Sequence, residues 1–220
     1  MPRNGTSPGK NYEQAKPQIS CAEDYFACLT DALQSVPHAR IDEISNVLLN
    51  AYEEARNIFV FGNGGSAALA SHFACDLGKG ATARGSHPKR FRAIALTDSI
   101  PMMTAWANDS SYDDVFAEQL RNLIEPGDVA FAISASGNSP NVLRALQTAR
   151  DAGGYRVGLT GFQGGKMKKL CDLCLVVPSD NMQLIEDIHL SIAHALFTTI
   201  RQKLEDKLLA AEAKLALVVP

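Results

Sequence analysis

Short, almost fully apolar runs alternate with amphipathic stretches along most of this chain. The apolar runs are NIFVFG, FRAIALT, DVAFAIS, YRVGLTG and DLCLVVP, at residues 57–62, 91–97, 128–134, 155–161 and 172–178. Runs of this length and composition predict strands that are buried on both faces, and the stretches between them have helical spacing. Because each strand leads into a helix, the sequence predicts an α/β fold with a doubly wound, five-stranded parallel sheet flanked by helices.

Further helices are predicted at both ends of this alternating region. AEDYFACLTDALQSV and IDEISNVLLNAYEEA, on either side of Pro37, have apolar residues at three- and four-residue spacing. A long C-terminal helix is predicted from about Met182 to beyond Leu209. The first 20 residues are rich in Pro, Gly, Asn and Lys, which is typical of a flexible tail. We therefore expect a tail at 1–20 and a single domain at 21–215.

Charge and hydropathy indicate whether the protein binds nucleic acid or membrane. The chain has 220 residues, with 21 basic against 24 acidic side chains, a balance that argues against nucleic-acid binding over the whole surface. No apolar run approaches the roughly 18 residues of a membrane span, and the N-terminal residues do not resemble a signal peptide. These features predict a cytoplasmic protein that binds neither nucleic acid nor membrane.

The cysteines predict reduced thiols. Their number is five, an odd count at uneven spacing, which fits a reducing compartment better than a disulfide framework. Cys171 and Cys174 have the CxxC spacing of a metal or redox pair, but there is no second pair to complete a metal site. Ordinary buried thiols are the favoured interpretation of this pair.

Two loops after predicted strands have residues that suit an anion. GNGGS, at residues 62–66, lacks the GxGxxG pattern of dinucleotide sites and the Gly-Lys-Ser/Thr ending of a P-loop. Its glycines let a ligand approach the backbone, although a tight strand-to-helix turn is the simpler alternative. SASGNSP, at residues 134–140, has three serines before a helix and a proline near its first turn. Serine hydroxyls and a helix N-terminus can hold a phosphate without any lysine or arginine.

Four stretches together resemble the sugar isomerase (SIS) domain. They are GNGGSAALASHFACDL, TAWANDSSYDDVFAEQL, GDVAFAISASGNSPNVLRAL and LTGFQGGKMKKLCDLCLVVPSDN. The SxSGNS stretch is typical of the broad family, and GNGGS…HF with ANDxxY…VF is more specific to the phosphoheptose isomerases. The resemblance extends from about residue 20 to residue 200. It implies interconversion of sedoheptulose 7-phosphate and D-glycero-D-manno-heptose 7-phosphate through an enediol, by a homotetramer with sites shared between subunits.

The resemblance also implies which residues form the site. Substrate contacts are expected from the glycine loop, the phosphate loop and the sugar pocket, and from two carboxylates that also serve the metal. The expected residues of the glycine loop are Asn63, Gly64, Gly65 and Ser66, and those of the phosphate loop are Ser134, Ala135, Ser136 and Ser139. Those of the sugar pocket are Asn108 and Asp109, and the two carboxylates are Asp76 and Glu186.

One Zn²⁺ per subunit is expected on His72, Asp76, Glu186 and His194. Two imidazoles and two carboxylates suit tetrahedral zinc. His72 and Asp76 are four residues apart on one helical face. Glu186 and His194 are eight residues apart, about 12 Å of helical rise, so they can share an ion only by leaning together or through a local departure from helix. His189, between them, is expected to be structural or to support a ligand.

The sequence departs from the family at two of these positions. The family usually has Glu where Asp76 stands and Gln where Glu186 stands. The resemblance assigns the catalytic base to Asp76 and the acid to His194, but the aspartate is shorter by one C–C bond, about 1.5 Å. Either the backbone compensates, or Glu186 takes a larger share of the proton transfer.

Two other functions remain open. A binding or regulatory protein on the same fold, of the type associated with replication initiation, would have lost the catalytic residues, whereas this chain retains His72, His194 and two carboxylates. The two substitutions could also retune the pocket for another sugar phosphate. A DNA-binding sugar sensor is disfavoured because the 220 residues leave no helix-turn-helix region.

Overall fold

The computed structural model describes residues 19–80 and 89–216. Its centre is an all-parallel sheet of five strands in the order β2-β1-β3-β4-β5. The strands are β1 (Asn57–Gly62), β2 (Arg92–Ala95), β3 (Val129–Ser134), β4 (Tyr155–Thr160) and β5 (Leu173–Val176). The predicted doubly wound α/β fold is confirmed, and the edge strands β2 and β5 are shorter than the apolar runs that contain them.

The alternation of side chains along β1 divides the core into two layers. Ile58 and Val60 pack on one face of the sheet and Phe59 and Phe61 on the other, because successive strand residues point to opposite sides. Each of these four side chains is at most 1% exposed. Burial on both faces explains why the run is apolar at every central position.

Eight α-helices cover the two faces within the described residues. They are α1 (Ala22–Gln34), α2 (His38–Glu53), α3 (Gly65–Cys75), α4 (Ile100–Asp109), α5 (Ala117–Leu123), α6 (Pro140–Asp151), α7 (Met167–Leu170) and α8 (Met182–Ala216). The predicted break at Pro37 and the long C-terminal helix are both present. A π-helix (Asp76–Gly80) continues α3, and a 3₁₀ turn (Tyr112–Asp114) precedes α5; the sequence pattern predicted neither.

Most of the predicted tail lies outside the described residues. Its last residue belongs to the start of α1, where the Ser20 backbone N–H and hydroxyl both donate to Asp24. Across residues 19–80 and 89–216, none of the helices combines the length and apolarity needed to cross a bilayer.

One buried polar side chain joins α8 to the sheet. His189 is 1% exposed, and its Nε2 lies 3.2 Å from the carbonyl oxygen of Thr160, at the end of β4. A carbonyl only accepts, so Nε2 donates. Its Nδ1 has no hydrogen-bond partner among the described residues. Burial lowers the pKa of His189 from 6.5 to about 4, against a smaller opposing effect of the bond to Thr160.

This shift predicts a stability loss in acid. Between pH 6.5 and 4 the unfolded chain binds a proton at His189 that the folded chain does not bind, so the free energy of unfolding falls as pH falls through that window. The contribution of His189 to the fall is about 3 kcal/mol. Urea unfolding of His189→Gln, whose amide cannot titrate, should therefore show a flatter pH dependence than wild type.

Carboxylates titrate in the same range, so the informative quantity is the difference between wild type and variant. His38→Gln is the control, because His38 is exposed on α2. Equal slopes for wild type and His189→Gln between pH 4 and 6.5 would contradict the assignment of a buried neutral imidazole.

Candidate active site

The glycine loop between β1 and α3 lies against the start of α8. A Cβ added to Gly65 would lie 3.1 Å from Oε1 of Glu186, so the absence of a side chain lets the two elements approach closely. Gly64 caps α3 with a φ of +55°. Ser66 is buried in the first turn of that helix. The loop thus brings a hydroxyl and backbone groups beside a carboxylate of the last helix.

The serine loop between β3 and α6 forms a small cavity beside the glycine loop. Ser134 is 5% exposed, and its hydroxyl lies 3.4 Å from that of Ser139. Ser139 caps α6 without bonding to its backbone through the side chain, so this hydroxyl is not committed to the helix. The cavity, here called the serine cavity, has a volume of about 160 Å³ and is lined by Asn63, Ser66, Ile133, Ser134, Ala135, Ser136, Ser139, Met182 and Glu186.

The backbone of the serine loop is fixed from outside. Gly137 has a φ of +63°, and a Cβ there would lie 2.3 Å from the carbonyl oxygen of Gly164, so only glycine fits. The Met167 N–H donates to the Gly137 carbonyl at 3.0 Å, and the Lys166 N–H donates to Asn138 Oδ1 at 3.1 Å. The region from 164 to 167 therefore holds the loop in shape before any ligand arrives.

A second, larger cavity adjoins the first. It has a volume of about 410 Å³ and is lined by Gly65, Ser66, Ala68, Leu69, His72, Glu186, Asp187, His189, Leu190 and His194. It is here called the histidine cavity. Ser66 and Glu186 line both cavities, so their side chains stand at the junction between them.

Three of the four predicted metal ligands come together. His72 Nε2 lies 2.9 Å from His194 Nε2 and 3.3 Å from Asp76 Oδ2, and His194 Nε2 lies 4.0 Å from the same oxygen. Ligands of a tetrahedral zinc with bonds of about 2.0–2.1 Å are roughly 3.3 Å from one another. The donor types and their spacing therefore fit Zn²⁺, with room for a further ligand. These three residues are called the His-Asp-His cluster below.

Glu186 lies outside this group of three, so its role as a fourth ligand stays a prediction. Potential ligand atoms of His72, Asp76 and His194 all lie within 4.8 Å of one another, and this group does not include the Glu186 carboxylate. Helix α8 is regular from Met182 to Ala216, so no local departure from helix shortens the spacing of Glu186 and His194. The glutamate instead faces the junction of the two cavities.

An amide pair that the sequence analysis did not identify joins the two loops. The side chains of Asn63 and Asn141 donate to each other, at 2.9 and 2.8 Å, and the Tyr112 hydroxyl donates to Asn63 Oδ1 at 3.0 Å. Asn141 is 2% exposed in the first turn of α6. Because β1 and β3 are neighbours, their loops had to meet, but no pattern along the chain indicated which side chains would do so.

Asn108 and Asp109, predicted in the sugar pocket, line neither cavity. They are exposed at the end of α4, where the Asn108 amide donates to Asp109 Oδ1 at 2.8 Å. The contact between this region and the glycine loop is made by Tyr112 instead. Within one chain, their helix follows the edge strand β2.

Known proteins resemble this chain in both sequence and fold. The SIS-domain family profile matches residues 24–161. The phosphoheptose isomerase of Aliarcobacter butzleri is 42% identical over 165 residues, which are 74% of this chain and 85% of that protein. The structure of a phosphoheptose isomerase from Neisseria gonorrhoeae superposes with a TM-score of 0.74 at 31% identity, covering 82% of this chain and 96% of the other.

A second solved structure gives the same result. A phosphoheptose isomerase from Francisella tularensis has a TM-score of 0.75 at 30% identity, again covering 82% of this chain and 96% of the other. The chain therefore belongs to the SIS-domain family and, within it, to the phosphoheptose isomerases.

Proposed function

We propose that this protein is an aldose–ketose isomerase that converts sedoheptulose 7-phosphate to D-glycero-D-manno-heptose 7-phosphate. The observation that carries the proposal is that the serine cavity and the histidine cavity share Ser66 and Glu186 in their walls. A sugar phosphate anchored among serines would extend past this carboxylate towards the two imidazoles. The relatives named phosphoheptose isomerase support a seven-carbon substrate.

The serine cavity is the proposed phosphate site. Ser134, Ser136 and Ser139 offer hydroxyl donors, and the N-terminus of α6 adds positive potential. Among residues 19–80 and 89–216, no lysine or arginine lines this cavity, so a dianion would be held by hydrogen bonds from the serine hydroxyls and backbone N–H groups. Such a site gains selectivity from the geometry of its donors, because its attraction for other anions is weak.

Glu186 is the proposed base. Isomerisation requires a proton to leave C1 of the ketose and a proton to return to C2 through a planar enediol, and a carboxylate beside both carbons can perform both steps. Its place at the junction suits this role. The accompanying transfer of a hydroxyl proton is assigned to His194, as the family resemblance implies.

The His-Asp-His cluster is the proposed zinc site. His72, Asp76 and His194 supply two neutral nitrogen ligands and one carboxylate, a set that zinc accepts. When bound, the cation polarises the substrate carbonyl and stabilises the enediolate. Asp76 would then serve the metal, while Glu186 remains outside the cluster for proton transfer.

Proton NMR in D₂O with sedoheptulose 7-phosphate tests the function. The expected result is the appearance of aldose anomeric signals with deuterium incorporated at C2, since an enediol exchanges its proton with solvent. A chelator should abolish the signals and added Zn²⁺ should restore them. Binding of the sugar phosphate without turnover would instead support the regulatory alternative, and turnover of a different sugar phosphate would overturn the substrate assignment.

The proposed phosphate site in the serine cavity gives a prediction for a double variant. Ser134→Ala with Ser136→Ala removes two donors to a charged acceptor, each worth about 1.5–3 kcal/mol. Substrate affinity should weaken more than tenfold while urea unfolding changes little. Ser191→Ala is the control, because its hydroxyl bonds only to a backbone carbonyl on the exposed face of α8. Unchanged affinity in the double variant would place the phosphate elsewhere.

Asp76 and Glu186, which stand where the family usually has Glu and Gln, are predicted to have coupled effects on kcat/KM. Glu186→Gln should lower kcat/KM by about 100-fold or more, because general-base catalysis contributes roughly that amount and only the shorter Asp76 is left. Asp76→Glu in that background should restore part of the rate by recreating the usual family pair. A double-mutant cycle on kcat/KM should yield a coupling of about 0.5–3 kcal/mol.

Metal content must be measured for every variant in this cycle, so that loss of zinc is not mistaken for loss of the base. Asp206→Asn, an exposed carboxylate farther along α8, is the matched control and should retain full activity. Additive effects at unchanged metal content would show that the two carboxylates do not compensate for each other.

The uncovered apolar surface predicts assembly. No residue of α1 is buried, and Phe26 on this helix is 63% exposed, as are Ile100 at 70% and Leu209 at 62%. Together with the family resemblance, this surface supports a homotetramer, in which a neighbouring subunit could complete the site near Asn108 and Asp109. Light scattering should give four times the 23.7 kDa of one chain. A monomer or dimer at micromolar concentration would refute the tetramer.

A further inference from the structure

Cys171 and Cys174 lie on opposite ends of a short connection next to the serine loop. Cys171 follows α7, and Cys174 lies in β5, where it pairs with Gly158 of β4. Both are free and only partly buried. The sequence analysis favoured ordinary buried thiols, and the proposed isomerase reaction does not use either sulfur.

The two sulfur atoms lie over the same glycine. A Cβ added to Gly158 would lie 2.7 Å from Cys171 Sγ and 3.3 Å from Cys174 Sγ, so both sulfurs are within 3.3 Å of one point. Any side chain at position 158 would occupy the space that they share. The described chain therefore brings the two sulfurs together, whereas Cys21, Cys28 and Cys75 lie on or beside α1 and α3.

The surroundings make the two thiols unequal. A hydrogen bond from Cys171 lowers the pKa of Cys174, and the positive charges of Lys168 and Arg40 lower it further. The same contact and burial raise the pKa of Cys171. Burial opposes the lowering at Cys174 but does not reverse it. Because the thiolate is the reactive form, this asymmetry favours Cys174 as the attacking sulfur.

We propose that Cys171 and Cys174 are a redox pair that closes to a disulfide when the protein meets hydrogen peroxide and reopens with a dithiol reductant. The Cys174 thiolate attacks one peroxide oxygen, hydroxide leaves, and a sulfenic acid forms. The Cys171 sulfur then attacks Cys174 Sγ, forming the S–S bond and expelling the sulfenic oxygen as hydroxide. Two electrons pass from the sulfurs to the peroxide, and the two thiol protons convert both hydroxides to water.

Closure acts on the serine loop through α7. An S–S bond of about 2.05 Å requires the sulfurs to move together. Cys174 is held by the strand ladder and Asp172 by its N–H bond to the Arg156 carbonyl, so we expect the backbone to adjust at Cys171 and α7. Helix α7 and the residue before it donate backbone N–H groups to the serine loop, from Met167 to Gly137 and from Lys166 to Asn138. Oxidation therefore loosens the serine loop. The disulfide and the loosening do not depend on the proposed reaction; only their effect on catalysis does.

Peptide mass spectrometry tests the bond itself. Trypsin releases residues 170–201 as one peptide, which contains both cysteines and no other. After peroxide treatment and alkylation, this peptide should lack both alkyl groups and be lighter than the reduced peptide by two hydrogens, and a dithiol should reverse the change. Cys28→Ser is the matched control and should behave as wild type. Alkylation of both thiols after peroxide would overturn the proposal, as would a bond to a different cysteine.

Single variants test the order of the steps. Cys171→Ser should stop at a Cys174 sulfenic acid that a 1,3-diketone probe traps, whereas Cys174→Ser should give little labelling at Cys171. Labelling in the opposite order would overturn the assignment of the nucleophile.

Hydrogen exchange tests the consequence for the loop without any substrate. Amides of residues 134–139 and 166–168 should exchange at least several-fold faster in the oxidised protein, and those of β1 should not change. Equal exchange in both forms would overturn the link to the serine loop. An inactive protein with an oxidisable pair and faster loop exchange would leave this inference standing while refuting the proposed function.

Discussion

The close packing of α8 against the glycine loop is the contact on which the candidate site depends. The glycine at position 65 leaves 3.1 Å between a would-be Cβ and the Glu186 carboxylate, so even an alanine there would force this carboxylate to shift by a few tenths of an ångström. The same helix supplies His194 to the cluster with His72 and Asp76. A shift of α8 by one or two ångströms would therefore disturb the cluster and the junction between the cavities together.

Sequence patterns predicted the features of the fold that depend directly on which residues are buried. Runs such as NIFVFG are apolar because both faces of a parallel sheet are covered, and β1 has the predicted bounds of 57–62. The convergence of the glycine and serine loops followed from the same reasoning, since ligands bind beyond the carboxyl ends of such strands. These inferences need only local composition and the rules of sheet topology.

Side-chain pairing across elements could not be predicted in the same way. The separation of Glu186 from the cluster depends on the regular rise of α8, and the Asn63–Asn141 pair depends on how two loops meet. The π-helix after α3 begins at Asp76, so the backbone geometry changes at a predicted ligand. None of these features leaves a periodic signal in one sequence, because each is decided by contacts between distant parts of the chain.

The separation of the two carboxylates has a chemical consequence for the proposed mechanism. A cation stabilises the ionised form of a carboxylate that binds it, so a metal-bound aspartate has less affinity for a proton. A glutamate outside the metal cluster, in the walls of both cavities, remains available to exchange a proton with a substrate. A chain with a short ligand at Asp76 thus gains from an ionisable residue at 186, where an amide could orient a substrate but could not accept a proton from carbon. On this reasoning, the two departures from the family pattern divide metal binding and proton transfer between two side chains.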